Sequence, residues 1–278
     1  MFPWVYGFTW NAGNIVFLGI FFTVVSIIVV TLALSFLRTV RSVGASDLAH
    51  IRWESEFHDL PVPARTCRHV FAGDVRQRVC SHAFECGTCT AHSRFEELRR
   101  FGRIPARPLA MPEGFSVPSD RLYHRGHTWV RKEAEGSVVV GLDDLALRVL
   151  GDTKELHVPP PSTRVHRNAP VMTVRKGPAK ARILCPVEGE IVENRGAGSD
   201  WLLRIRPAST AAPSLAHLLT PGEAALWMES EFERLQQILA GGEVGVTMAD
   251  GGTPVQDLSA LVPEKQWDHM LGELFLDP

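Results

Sequence analysis

Residues 138–152 read Val138-Val139-Val140-Gly141-Leu142-Asp143-Asp144-Leu145-Ala146-Leu147-Arg148-Val149-Leu150-Gly151-Asp152, and two periodicities meet there. Val138 to Val140 are consecutive β-branched residues, the composition of a short buried strand. Asp143 then stands where an N-cap accepts a backbone N–H, Leu145, Ala146, Val149 and Leu150 recur at helical spacing, and Gly151 is the stop. On either side of this stretch, Thr128 to Arg131, Val171 to Val174, Ile183 to Leu184, Ile191 to Val192 and Leu202 to Ile205 all read as short strands. Short strands separated by turns, interrupted by one helix, predict a small barrel or sandwich of the α+β, mainly β class.

Toward the C-terminus the pattern turns helical from Pro221 to about Leu239, with Leu226, Trp227 and Phe232 to bury. Gly241-Gly242 ends that helix, and an extension over 241–278 predicts a hairpin around Asp250-Gly251-Gly252 and a last helix through Trp267, Met270, Leu271 and Leu274. Toward the N-terminus, Pro105, Pro108, Pro112 and Pro118 make residues 102–119 an extended linker. A Cys/His-rich knuckle and a short helix with Phe95, Leu98 and Phe101 on one face fill 67–101. Residues 38–66 read as a juxtamembrane spacer ending in Pro61-Val62-Pro63.

Residues 1–37 carry no charge, and 15–37 are almost wholly aliphatic or aromatic. At about 1.5 Å per residue such a helix reaches roughly 35 Å, enough to span a bilayer core. A cleaved signal peptide would need a basic leader, and residues 1–14 hold neither Lys nor Arg. Arg38 and Arg41 follow the apolar run, which predicts a single-pass bacterial inner-membrane protein, N-terminus outside and soluble domains cytoplasmic. A net charge of −2 argues against a dedicated nucleic-acid binder. No nucleotide-binding glycine loop, His-Glu-x-x-His or nucleophile elbow occurs in the sequence.

Four ordered motifs then fall within residues 120–240. His127-Thr128-Trp129 is followed by the Gly141 to Asp152 helix, by Cys185-Pro186-Val187-Glu188-Gly189-Glu190-Ile191-Val192-Glu193-Asn194, and by Trp201-Leu202-Leu203-Arg204-Ile205-Arg206-Pro207. Together they resemble the glycine cleavage system H protein, whose fold is a lipoyl-type barrel-sandwich hybrid with C-terminal helices. The resemblance implies a lipoate-bearing lysine at a hairpin tip, eight residues before the proline of the Pro-x-x-Gly turn. Counting back from Pro186 reaches Pro178, which has no amine to acylate. Lys176 and Lys180 lie two positions either side as possible substitutes, and Arg175, Lys176, Lys180 and Arg182 make the tip basic. Lipoate is therefore not expected, and a basic tip suggests contact with anionic lipid headgroups or an acidic protein partner.

Cys67, Cys80, Cys86 and Cys89 follow Cys-x12-Cys-x5-Cys-x2-Cys, with His69, His82 and His92 interleaved. Four thiolates match a closed tetrahedral zinc site. An iron–sulfur cluster, a Cys-x-x-Cys redox pair and four unlinked thiols stay open beside it. Cys185, His127 and His157 are assigned to packing. The expected function is a carrier or scaffold without catalysis: a non-lipoylated binding module, a lipoyl (aminomethyl) carrier using Lys176 or Lys180, or an electron-transfer or thiol-redox accessory of a membrane complex.

Overall fold

The computed structural model describes residues 10–42, 45–102, 114–151, 155–208, 215–240 and 262–277. Contacts divide the chain into two units, Met1–Leu48 and Ala49–Pro278.

The first unit is dominated by helix α1 (Ala12–Ser42). Its Ala12–Ser35 portion, 24 residues, is long and apolar enough to cross a membrane. The helix begins before the apolar run and continues beyond it, because Arg38 and Arg41 are good helix formers that extend a helix once it is nucleated. Ile15, Phe17, Ile20, Ile27 and Val30 are exposed along it. Thr23 and Thr31 return their hydroxyls to the carbonyls of Gly19 and Ile27, each at 2.7 Å, so neither polar group is left unpaired.

The second unit is built on two antiparallel sheets. The larger has the order β1 (Leu122–His124), β2 (Thr128–Lys132), β3 (Val138–Leu142), β9 (Leu203–Pro207), β8 (Gly189–Asn194) and β5 (Arg164–Val165). The smaller has β4 (Leu156–His157), β6 (Pro170–Lys176) and β7 (Ala179–Leu184). β1 and β5 span two or three residues, too short for a period-two signal. Every residue of β3 is buried, and Trp129 of β2 lies beside it, donating its indole N–H to Leu142 O at 2.7 Å. Gly141 is demanded by that ring: a Cβ there would collide with Trp129 and come within 2.9 Å of Asp200 O. Helix α5 (Asp144–Leu150) starts where Asp143 accepts the Ala146 N–H at 2.9 Å and ends at Gly151, φ +59.

The spacer expectation for 38–66 is corrected by α2 (Ala45–Asp59). Trp53, Phe57 and Leu60, one helical face, are buried with Ala64, Ala83, Phe84, Leu184 and Leu276, and Trp53 donates to Ala83 O at 2.9 Å. Helix α3 (Arg68–Phe71) sends Phe71 into the main core. In α4 (Thr90–Arg100) the Phe95 ring lies tilted against His69 with centroids 4.3 Å apart, but Phe101 is exposed just beyond its end. The linker expectation changes at its C-terminal end, where Phe115 and Val117 are buried; residues 103–113 lie outside the described residues.

Helix α6 (Pro221–Ala240) buries Trp227, with Leu226 and Phe232 partly buried. Helix α7 (Trp267–Phe275) packs on β7 through buried Met270, Leu271, Leu274 and Phe275. The hairpin expected around Asp250-Gly251-Gly252 lies outside the described residues.

Candidate functional site

The β6–β7 hairpin closes tightly. Lys176 pairs with Ala179, leaving Gly177 and Pro178 as a two-residue turn. Gly177 takes φ +58, as the first position of a II′ turn requires, and the second position wants φ near about −80°, within proline's reach. Pro178 is thus the exposed apex residue, and its nitrogen is part of the backbone.

The cations around this apex have different fates. Lys176 donates its Nζ to Leu150 O at 2.7 Å, satisfying a last-turn carbonyl of α5, and lies 5.2 Å from the Trp267 ring centroid. Arg182 is held by Asp277, which accepts its backbone N–H at 2.7 Å and its Nε at 2.5 Å, and by Glu56 at 3.3 Å. Arg175 and Lys180, cross-strand partners, are exposed. Lys180 borders a surface cavity of about 430 Å³ with Asp59, Asp268, Glu273 and Asp277. Partial burial pushes the Asp277 carboxyl up to about 6, against the pull of Arg52 and Lys180.

The four-cysteine zinc centre expected from the spacing is not assembled: among the described residues no group of three or more His, Cys, Asp or Glu stands ready to hold a metal. Cys67 and Cys80 flank an isolated bridge between Thr66 and Val79, closed by Cys67 N–H to Arg78 O at 2.8 Å and Cys80 N–H to Arg65 O at 2.7 Å. Cys86 and Cys89 are the ends of a 3-10 turn. Burial pushes the Cys67 and Cys86 thiols up. Cys67, Cys80 and Cys86 act electrostatically on buried Arg125, whose guanidinium donates to Thr66 O at 2.5 Å and lies 3.9 Å from the Phe84 centroid. A side-chain cation accompanies these thiols. His69 is already engaged, 2.5 Å from Asp74 through Nδ1 and 3.0 Å from His92 through Nε2, while His82 is exposed. Packing of Phe71, Ala83 and Phe84 holds the segment.

His127, assigned to packing, does more than pack. It adopts φ +56, is fully buried, and places Nδ1 2.8 Å from Asp143 and Nε2 3.9 Å from Glu231. Its ring stacks on Trp227 with centroids 4.6 Å apart. Burial alone would push His127 down, but Asp143 and Glu231 more than offset it and hold it at about 9. Asp143 therefore caps α5 and anchors a buried imidazolium. His124, by contrast, is driven down to about 3 by burial and by His217; neutral, it accepts the Gly126 N–H on Nδ1 at 3.1 Å, which leaves Nε2 to donate to Asn168 Oδ1 at 2.9 Å. His157 is exposed on β4. Cys185 is buried, its thiol donating to Val187 O at 3.1 Å.

Residues 121–200 match a family model described as Glycine cleavage H-protein. A glycine cleavage system H protein from Halorhodospira halophila is 33% identical over 108 residues, which are 34% of this chain and 83% of that protein. The chain belongs to the glycine cleavage H-protein family. A second H protein, from Paraburkholderia xenovorans, is 35% identical over 109 residues, covering 35% of this chain and 86% of its own length. A crystal structure of a glycine cleavage system H protein from Mycobacterium marinum aligns with 42% of this chain and 98% of its own, at 23% identity and a TM-score of 0.32. The H-protein match leaves outside it α1, α2 and the cysteine segment, all N-terminal to residue 121. At the hairpin tip the apex residue Pro178 has no side-chain amine, Lys176 donates to Leu150 O, and Lys180 is exposed two positions after Pro178.

Proposed function

We propose that this chain is a membrane-anchored member of the H-protein family that carries no lipoate and serves as a binding module for a partner protein. The observation that carries this reading is the apex: Gly177-Pro178 closes the hairpin, and neither of these two residues has a side-chain amine. Two further features support it. Lys176 is turned back onto α5, and α7 packs along β7, the strand that leaves the tip. A swinging arm needs an exposed attachment point at the apex, where Pro178 supplies none; the exposed Lys180 stands two positions down β7 from it. Function on a shared fold resides in the site, so retention of the sandwich without its attachment atom points away from acyl carriage and toward recognition.

In this reading α1 crosses the inner membrane with Arg38 and Arg41 on the cytoplasmic side. The tip offers Arg175 and Lys180 outward, while Lys176 and Arg182 are engaged within the chain. A partner with an acidic surface suits that pair better than a lipid sheet does, since about 1 kcal/mol per surface cation makes two cations a weak membrane anchor. The module holds a partner and does not catalyse.

The test is affinity purification of the full chain from native membranes in mild detergent, with and without Arg175→Gln and Lys180→Gln together. A partner lost on neutralisation supports the reading. Recovery of the chain with a lipoyl group on Lys180 would instead make it an aminomethyl carrier and overturn it.

A further inference from the structure

We propose that Cys86 and Cys89 are a reversible dithiol–disulfide pair that exchanges with a low-molecular-weight or protein disulfide. This is independent of the partner-binding role assigned above and concerns a segment outside the H-protein match.

The backbone setting separates the four cysteines into two kinds, although Cys80 is near enough to Cys67 and Cys86 to act on both thiols. Cys86-Gly87-Thr88-Cys89 is a single 3-10 turn in which the Cys89 N–H reaches Cys86 O at 3.3 Å. A turn closed from i to i+3 brings its end Cα atoms within about 7 Å, and a disulfide spans Cα separations of roughly 4.4–6.8 Å. The turn therefore holds the two Cα atoms at a separation that a disulfide can span. Cys67 and Cys80 differ: Cys67 faces Arg78 and Cys80 faces Arg65 across the Thr66–Val79 bridge. They are diagonal neighbours, about 7–8 Å apart, at or beyond the reach of an unstrained bond. Cys185 is sealed in the core.

Access and surroundings agree. Cys86 and Cys89 are both partly exposed, Gly87 and Thr88 between them are exposed, and Cys89 is the N-cap residue of α4. Arg68, anchored by Glu223 at 3.0 Å, also reaches the Cys86 thiol, and Arg125 adds a second nearby cation. Burial still holds the Cys86 thiol above its ordinary value, and both cations pull against that rise.

The exchange balances without further reagents. The Cys89 thiolate attacks one sulfur of R–S–S–R and expels R–S⁻, which takes up a proton. Cys86 then loses its proton and attacks the Cys89 sulfur of the mixed disulfide, expelling the second R–S⁻. The chain's dithiol gives up two electrons and two protons, and the co-reactant disulfide becomes two thiols.

The test equilibrates the full chain in detergent with glutathione buffers of rising oxidised fraction, quenches with acid, alkylates the remaining thiols and sequences the tryptic fragment 79–94, which holds Cys80, Cys86 and Cys89. Alkylation of Cys86 and Cys89 is expected to fall together by roughly tenfold while Cys80 and Cys67 stay reactive. Cys86→Ser, which leaves the attacking thiol without its resolving partner, is expected to trap glutathione on Cys89. Persistent alkylation of both residues, pairing of either with Cys67 or Cys80, or a tightly bound metal ion that keeps all four thiols from oxidising would overturn the proposal.

Discussion

Replacing Asp143 by Asn separates its two tasks, because an amide oxygen still caps α5 at the Ala146 N–H while the negative charge beside His127 is gone. Holding a fully buried histidine at about 9 instead of its ordinary 6.5 corresponds to about 3 kcal/mol, at about 1.4 kcal/mol per pH unit. The folded value lies above the unfolded one, so the folded state binds the proton more tightly. That stabilisation is complete below about pH 6.5 and is lost as pH rises through about 9. Urea unfolding of the full chain in detergent, followed by tryptophan fluorescence, is to be run on wild type and Asp143→Asn at several pH values. At the acidic end the wild type should be more stable by up to about 3 kcal/mol, because Glu231 shares in holding the proton, and the gap should close as pH passes about 9. A gap of the same size at every pH would refute the buried imidazolium.

Arg68→Met leaves Glu223 buried without its partner and should destabilise by about 3–5 kcal/mol, whereas Arg68→Met with Glu223→Met should recover most of that in a double-mutant cycle. Gly141→Ala forces a Cβ into the Trp129 ring and should lower stability by about 1–3 kcal/mol in the same urea assay. Deleting residues 1–42 should move the chain from the membrane to the soluble fraction on cell fractionation; release of the full chain by high salt alone would show that α1 is no anchor.

Local signals were legible where a residue's role depends on near neighbours. Asp143, Gly151 and the spaced apolar residues between them define α5 by sequence alone, and the β2, β3, β6 and β7 segments alternate or cluster as strands should. Trp53, Phe57 and Leu60 were also readable, at i, i+4 and i+7, yet their short polar context made a helix look like a spacer. Roles set by distant partners were not legible. Nothing near His127 announces Glu231, nothing near Arg182 announces Asp277, and Lys176 finds Leu150 O only once the sandwich has closed. The cysteine spacing was visible, but spacing does not say which sulfurs converge; the bridge at Thr66–Val79 and the 3-10 turn at Cys86–Thr88 decide that. At the hairpin tip, sequence showed which residue stands at the apex, and folding showed which lysine is occupied.

On the proposed reading, an H-protein fold is retained here without its acyl arm. Mass spectrometry of the full chain purified from its native membranes, intact and after proteolysis across the β6–β7 hairpin, tests it most directly. Unmodified Lys176 and Lys180 beside Pro178 are the predicted result, and a lipoyl group on either lysine would contradict it.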